Sequence, residues 1–441
     1  SITMRNRPIG FNEPEPIKKS FRDHLSFFLT AVFLLLFSFF SAFAQEATFS
    51  RPLSLEQCLS IALDNNPLVL SAQQQYLASR ARVNIAKSIS QPSLSFDSEL
   101  QPKPLSIGQS PEKYLWINQT VEFPGRIYLR GKVASLESME AEKNLEELKL
   151  SVAYDVKEAF FSLLLAEEEL KYSQQNLEIS RSFEEMVSLK NSAGEVPQVE
   201  VLRAKVELAK ASSLVKSSEN KTRIARARLN TVLGRNSAEP IGIQGELKQP
   251  GIDFSLEEAE TKALSARPEL KRIEYSIHKT RTMEKQAYLN YLPNLDFGLS
   301  RHRLEGQKFW DFSLSFSIPL FFWQPKRGEI AEAEIVGRAL EKEKLYLQNL
   351  VSLEVEEAYQ QVLLAQEQIG LIEREILSQS QQVYDMFLYS FQEGQIGGLD
   401  LIEARLTWVE ARLAYARTLY QHAISMAALE RALGIASRGQ K

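Results

Sequence analysis

The sequence predicts a mainly α-helical protein with a small β part, built as two internal repeats. Three observations carry this reading. After a glycine-rich turn, Gly394-Gln395-Ile396-Gly397-Gly398, apolar or small residues recur at 399, 402, 406, 409, 413, 416, 420, 423 and 427. That alternation of three and four marks the seam of long coiled-coil helices. A matching stretch, Gly194-Glu195-Val196-Pro197, lies 200 residues upstream and leads into another helical pattern. Within each copy one segment switches from the helical period to a period of two, the signature of paired strands.

Lys18, Lys19 and Arg22 precede an uncharged run from Leu25 to Phe40, and Ala42-Phe43-Ala44 follows it. Residues 1–44 read as a secretory signal peptide cut after Ala44. About 16 apolar residues are too few for a spanning helix, which needs roughly 20. The segment before Lys18 is longer than a leader needs, so Met4 or a later residue is the expected start.

The first repeat is placed at 45–234 and the second at 256–434, joined by a Gly- and Pro-containing linker at 235–255 with a little strand, and followed by a loose polar tail at 435–441. Each copy opens on a short helix, from Leu55-Glu56 or Leu256-Glu257. Each helix then meets Asn66-Pro67 or Arg267-Pro268, where proline biases the preceding residue away from helix. A second helix follows, with the two copies offset by 201.

Hairpins are expected at about 93–123 and 294–318. In the second copy Leu295, Phe297 and Leu299, then Trp310, Phe312, Leu314, Phe316 and Ile318, alternate with polar residues. The first copy is rougher: Leu94, Phe96 and Leu100, then Tyr114, Leu115, Trp116, Ile117, Val121 and Phe123. Both return strands end in proline, at Phe123-Pro124 and Ile318-Pro319. Strands of about 9–11 residues, apolar on one face and aromatic near their ends, suit an outer-membrane barrel; a small soluble sheet is the alternative. Four strands cannot close a barrel, and an open edge in lipid leaves backbone groups unsatisfied. Strands that meet lipid therefore require several chains in one barrel.

The longest helices are expected at about 126–192 and 326–393, rods of roughly 100 Å. Val156-Lys157-Glu158-Ala159-Phe160 matches Val355-Glu356-Glu357-Ala358-Tyr359 at an offset of 199, so the repeat register holds to within two residues. Shorter helices, about 199–233 and 399–433, return from the turns and stop at Leu233-Gly234 and Leu433-Gly434.

The chemistry of an enzyme is absent. A net charge of −4 gives no basic surplus for nucleic acid. Cys58, the one cysteine, has no partner for a disulfide, lies too far past Ala44 to carry a lipid anchor, and reads as a small apolar helix residue. His24, His278, His302 and His422 form no pair with metal-ligand spacing. Gly125-Arg126-Ile127-Tyr128-Leu129-Arg130-Gly131-Lys132 has five residues between its glycines where a phosphate loop has four, and Val133 follows where Ser or Thr is required. It reads as a strand-to-helix corner. No cofactor and no metal site is expected.

A leader, two copies of about 200 residues, a hairpin in each, and a Gly-x-x-x-x-(Leu/Val)-(Asp/Glu) turn together resemble the TolC family of outer-membrane efflux proteins. The resemblance runs from about Leu53 to Gly434. It is most specific at Ala62-Leu63-Asp64-Asn65-Asn66-Pro67, at Gly394 to Arg405, and at Ala427-Ala428-Leu429-Glu430-Arg431-Ala432-Leu433-Gly434. Gln119-Thr120-Val121-Glu122-Phe123-Pro124-Gly125-Arg126 is most similar to the branch serving cobalt-zinc-cadmium exporters.

The resemblance implies a homotrimer whose chains each give four strands to one twelve-stranded barrel in outer-membrane lipid, continued by a helical tunnel through the periplasm. It also implies hairpin tips that meet a periplasmic adaptor coupled to an inner-membrane transporter: Gly194, Glu195, Val199 and Glu200 on the first tip, and Gly394, Gly397, Gly398 and Leu399 on the second. Asp400 and Glu403 fall where relatives place acidic constriction rings. Phe391 and Ile396 stand where some relatives have a tyrosine–arginine latch, so any latch here is apolar or uses other residues.

Two readings of Asp400 and Glu403 stay open. Their D-x-x-E spacing is that of a capping box at a helix start, and threefold symmetry would equally turn two carboxylates into a six-membered cation filter. The first copy has Glu200 and Arg203 at the same places, so an acidic constriction is expected mainly from the second copy. The function expected is a passive exit duct of a tripartite efflux system for metal ions or small toxic compounds. The alternatives are a type I secretion exit channel and a soluble periplasmic coiled-coil scaffold.

Overall fold

The computed structural model describes residues 52–435 except 101–102, 105–106, 108–111, 305 and 317–324. The expected leader, the Ile318-Pro319 strand end and the tail beyond Ile435 lie outside the described residues. Each copy begins with a short helix, α1 (Leu55–Asn65) or α5 (Leu256–Ala266), and a second helix, α2 (Pro67–Ala86) or α6 (Pro268–Leu289). Strands β1 (Ser93–Glu99) and β2 (Glu112–Val121) follow in the first copy, β3 (Leu295–Leu304) and β4 (Gln307–Phe316) in the second. Then come the first rod, α3 (Arg126–Ser192), and its return helix, α4 (Gln198–Val232). The second rod is α7 (Pro325–Leu371) and α8 (Ser378–Gln392), returning as α9 (Gly398–Ala432). No described helix is long and apolar enough to cross a membrane.

Local chemistry repeats with the copies. Ser54 and Ser255 each start their helix with a capping box, closed by Gln57 and Glu258. Asn66 and Arg267 are extended, as the prolines after them dictate, and each ends one helix while starting the next.

One expected feature is corrected. The second rod is not one α-helix: a single π-helical turn, Ile372–Leu377, divides it. The sequence holds the cause, since the chain from Val355 to Gly394 is one residue longer than from Val156 to Gly194. A π turn absorbs a single inserted residue while both flanking stretches keep their faces. Arg374 Nε donates to the Gly370 carbonyl across it (3.1 Å).

The strands form one antiparallel sheet in the order β1-β2-β3-β4, leaving β1 and β4 as edges. Register sorts its side chains sharply. One face carries Leu94, Phe96, Leu115, Ile117, Val121, Leu295, Phe297, Leu299, Trp310, Phe312, Leu314 and Phe316, all exposed. The other carries Asp97, Glu99, Glu112, Tyr114, Trp116, Asn118, Thr120, Asp296, Ser300, His302 and Asp311. Trp116, read with Leu115 and Ile117 among the apolar residues of its strand, therefore sits mid-strand on the polar face.

The sheet is riveted to the rods through the sequence expected to be a corner. Gly125 starts α3, Arg130 grips Glu122 with two hydrogen bonds (2.9 and 2.8 Å), and Arg126 donates to the carbonyls of Leu289 and Leu292 at the end of α6. At the middle of the molecule, Phe160, Leu163, Leu229 and Leu233 close a core over α1, and Val351, Val355, Val362 and Leu429 close its counterpart over α5. The linker is clipped by one parallel bridge, Leu53 to Ile243.

Cys58 lies in the first core with no exposure, and burial pushes its thiol up to about 11. At pH 8 only about one molecule in a thousand is thiolate, the reactive form. Iodoacetamide is expected to leave the folded protein unmodified overnight and to label it within minutes in denaturant, read by mass spectrometry.

Candidate functional site: the helical tips

Below the middle, α3 lies between α4 and α9, and α9 in turn packs on α7 and α8. The far end of this layer holds two tips. Each rod ends in the same backbone motif. Gly194 N–H donates to Asn191 and Glu195 N–H to Lys190; Gly394 N–H donates to Phe391 and Gln395 N–H to Ser390 (2.9–3.1 Å). This closure needs a left-handed residue, and φ is +80° at Gly194 and +74° at Gly394.

The tips are packed together. Phe183, Val187, Val201 and Ala204 of the first share one apolar cluster with Tyr384, Phe391, Leu401, Ile402 and Trp408 of the second. Phe391 and Ile396, the residues at the latch positions, both belong to it, and Phe391 lies 5.5 Å from Phe183 between ring centres. Lys190 Nζ reaches from the first rod to the Gln392 carbonyl at the end of α8 (3.3 Å). Glu200 lies over Gly398: a Cβ there would come within 2.7 Å of its carboxylate. An open cavity of about 290 Å³ runs between the tips, lined among others by Phe183, Met186, Leu388, Leu401 and Arg405.

Asp400 and Glu403 form no capping box. Helix α9 starts at Gly398 behind Gly397, which has no side chain to accept a bond, so Asp400 already occupies the third helical position. Its carboxylate still suits the positive end of the helix dipole. Both acids are exposed, and neither carboxylate has a hydrogen-bond or ion-pair partner among the described residues. In the first copy Glu200 is instead held by Arg203 (2.9 Å). Of the two pairs at matching places, the second alone presents free negative charge.

The single seam read from 399 onward is also corrected at the tip. Leu399 and Leu406 are 47% and 40% exposed, while Leu401, Ala404, Arg405, Trp408 and Ala411 are buried. Helix α9 has neighbours on two sides, so it buries two stripes rather than one.

The most buried polar cluster escaped sequence reasoning. Arg405 donates to Ser180 Oγ on α3 and to Glu207 Oε2 on α4 (3.1 Å), tying α9 to both helices of the first tip. Burial lowers the Arg405 pKa, and Glu207 works against that shift. Tyr384 stacks on Trp408 beside it at 5.0 Å, and burial raises the Tyr384 pKa. Farther along, Glu169 bridges Arg417 and Lys221, and Lys157 pairs with Glu430. The signal was available: Arg405 lies four residues after Leu401 and three before Trp408, a cation inside an apolar stripe. Among the described residues no group of histidine, cysteine or carboxylate side chains has the arrangement of a metal site.

The outer membrane efflux protein family profile matches residues 58–235 and 261–435, nearly all of both copies. The chain belongs to that family. It is 24% identical over 405 residues to the cobalt-zinc-cadmium resistance protein CzcC of Cupriavidus metallidurans, spanning 89% of this chain and 92% of that one. Its fold matches a crystal structure of CusC at TM-score 0.73 and 17% identity (86% and 91% of the two chains), and the open state of the Neisseria gonorrhoeae MtrE outer membrane channel at TM-score 0.73 and 18% identity (86% and 88%). Members of the efflux family are channels, not enzymes. The efflux family's two-copy plan also accounts for the paired tips.

Proposed function

We propose that this chain is the outer-membrane exit duct of a tripartite efflux system exporting metal cations, working as a homotrimer with a periplasmic adaptor at the tips and an inner-membrane pump beyond it. The observation that carries the reading is the sheet. The twelve large apolar side chains on one face are all exposed, and the sheet's edges β1 and β4 are unpaired among the described residues. In lipid those edges demand closure against further copies. A soluble scaffold has no use for twelve exposed apolar side chains on one face.

Charge favours cationic cargo. On the described strands the polar face, which would line the duct, carries Asp97, Glu99, Glu112, Asp296 and Asp311 and no lysine or arginine. At the other end Asp400 and Glu403 carry the only unpaired charges at the start of α9, and three copies would set six carboxylates at the mouth. The kinship with CzcC points the same way. Leader cleavage after Ala44 belongs to this reading.

In planar bilayers the Asp400→Ala/Glu403→Ala variant is expected to lose cation over anion selectivity several-fold and to lose block by millimolar divalent cations. Unchanged selectivity and block would remove these two residues from the constriction. Recovery of the wild-type chain only from the soluble periplasmic fraction, with no heat-modifiable trimer in outer membranes, would overturn the duct itself.

A further inference from the structure

The apolar face of the sheet ends in a row of charge with no ion-pair partner among the described residues. Lys113 on β2 is directly opposite Arg303 on β3, and Arg303 is directly opposite Lys308 on β4. One row nearer the helices, Arg301 is opposite Trp310 and lies 5.7 Å over its ring. All four cations share the face of Leu299, Phe312 and Leu314 by register. None has an ion-pair partner among the described residues, and that face of the described strands carries no carboxylate. Like charges directly opposite on neighbouring strands repel. Three in line, at strand spacings of about 4.8 Å, make a cationic ledge roughly 10 Å wide.

The ledge has a fixed height. From the row of Leu295 and Phe316, next to the helices, to the row of Arg303 and Lys308 is eight residues, about 26 Å along the strands. With strands tilted by about 35–45° that run spans about 20 Å of the roughly 25 Å lipid-facing band, and the long lysine and arginine side chains reach the remaining few ångströms to the interface. The described strands carry no charge at the helical end of the same face. The cations therefore stand at one membrane surface only, the one remote from the helices, at the depth of headgroup phosphates.

From this we infer that the ledge of Lys113, Arg303 and Lys308, flanked by Arg301, is a docking site for a lipid bearing phosphomonoester groups in the leaflet remote from the helices. Guanidinium forks match phosphate oxygens in pairs, and the lysines add point charge on either side. The acyl chains of the same lipid lie down the strip of Leu299, Leu314, Phe297 and Phe312 directly beneath. Trp310, with Arg301 on its ring, marks the boundary between chain and headgroup. The inference rests on the sheet being a lipid-facing barrel wall.

The test compares the wild-type protein with the Lys113→Gln/Arg303→Gln/Lys308→Gln variant, each reconstituted in phosphatidylethanolamine vesicles containing bisphosphorylated lipid A, then extracted and read by native mass spectrometry. The wild type is expected to retain lipid A at least tenfold better than the variant, and neither to retain dephosphorylated lipid A. A second variant, Lys308→Glu, gives Arg303 an internal partner and is expected to reduce retention while keeping the assembly intact. Equal retention by wild type and both variants overturns the site. Displacement of lipid A by millimolar inorganic phosphate would show a free-phosphate site and overturn the lipid assignment. Conductance in planar bilayers separates this from the parent reading: if the wild type inserts and conducts while retention is equal, only the ledge fails.

Discussion

Replacing Arg405 by methionine is expected to destabilise the tips by about 3 kcal/mol and to open them to protease at 193–197 and 393–397. The Arg405 side chain is 4% exposed and the Glu207 side chain 11%. Removing one partner of a buried pair leaves the other charge without compensation, a loss of about 3–5 kcal/mol. The low end applies because Lys210, itself 68% exposed, still holds Glu207 Oε1 at 2.8 Å. Methionine replaces the unbranched apolar stem of the arginine but not its guanidinium end, so the variant removes the charge and its hydrogen bonds while keeping most of the aliphatic packing. The Arg405→Met/Glu207→Met double variant removes both charges and is expected to recover most of the loss. Thermal unfolding of the four proteins in this cycle isolates the pair. A single variant as stable as wild type would mean that the ion pair does not hold α9 to α4.

How much of this was legible in the residues depends on how many neighbours each element has. The second hairpin and the paired short helices were readable because each has one apolar face and one polar face, which leaves a clean period. Ser54, Ser255, Pro67 and Pro268 act locally and fix their helix ends wherever they are placed. Helix α9 was only half legible. It lies between α3 and α7–α8, and a helix buried on two sides blurs any single stripe, which is why Leu399 and Leu406 were expected inside and are not.

The π turn was visible only as arithmetic, a step in repeat offset from 199 to 200, because six residues are too few to change a pattern dominated by glutamate and leucine. Asp400 and Glu403 had the spacing of a cap and not its place: Gly397 is extended, at φ −79° and ψ 160°, and the helix has begun before Asp400. Arg405 and Glu207 are 198 residues apart in the chain. Only the packing of one copy on the other makes them partners.

That packing of copies gives the second large prediction, at the joint where α4 ends against the α1–α2 corner. Gly234→Ala is expected to cost about 3 kcal/mol and to lower the yield of folded protein. Gly234 has φ +75°, and a Cβ there would lie 2.5 Å from the Asn65 carbonyl oxygen, 3.0 Å from its carbon and 3.2 Å from Asn66 Cα. A left-handed alanine costs about 1 kcal/mol, and overpacking adds about 1–3 kcal/mol. The clash is with backbone, so no rotamer relieves it. The corner is also pinned, since Asn66 Nδ2 donates to the Val232 carbonyl at 2.8 Å, and moving it breaks that bond.

The same position in the second copy is less crowded: at Gly434, φ +68°, the nearest atoms to a Cβ are 3.3 Å away. Gly434→Ala is therefore expected to lose about half as much. Gly242→Ala, which meets nothing closer than Pro52 at 3.8 Å, should stay within about 0.5 kcal/mol of wild type. Urea unfolding midpoints should fall in that order. If Gly234→Ala matched Gly242→Ala, the α4 end would be free of the corner, and the first copy would be held together by its rods alone.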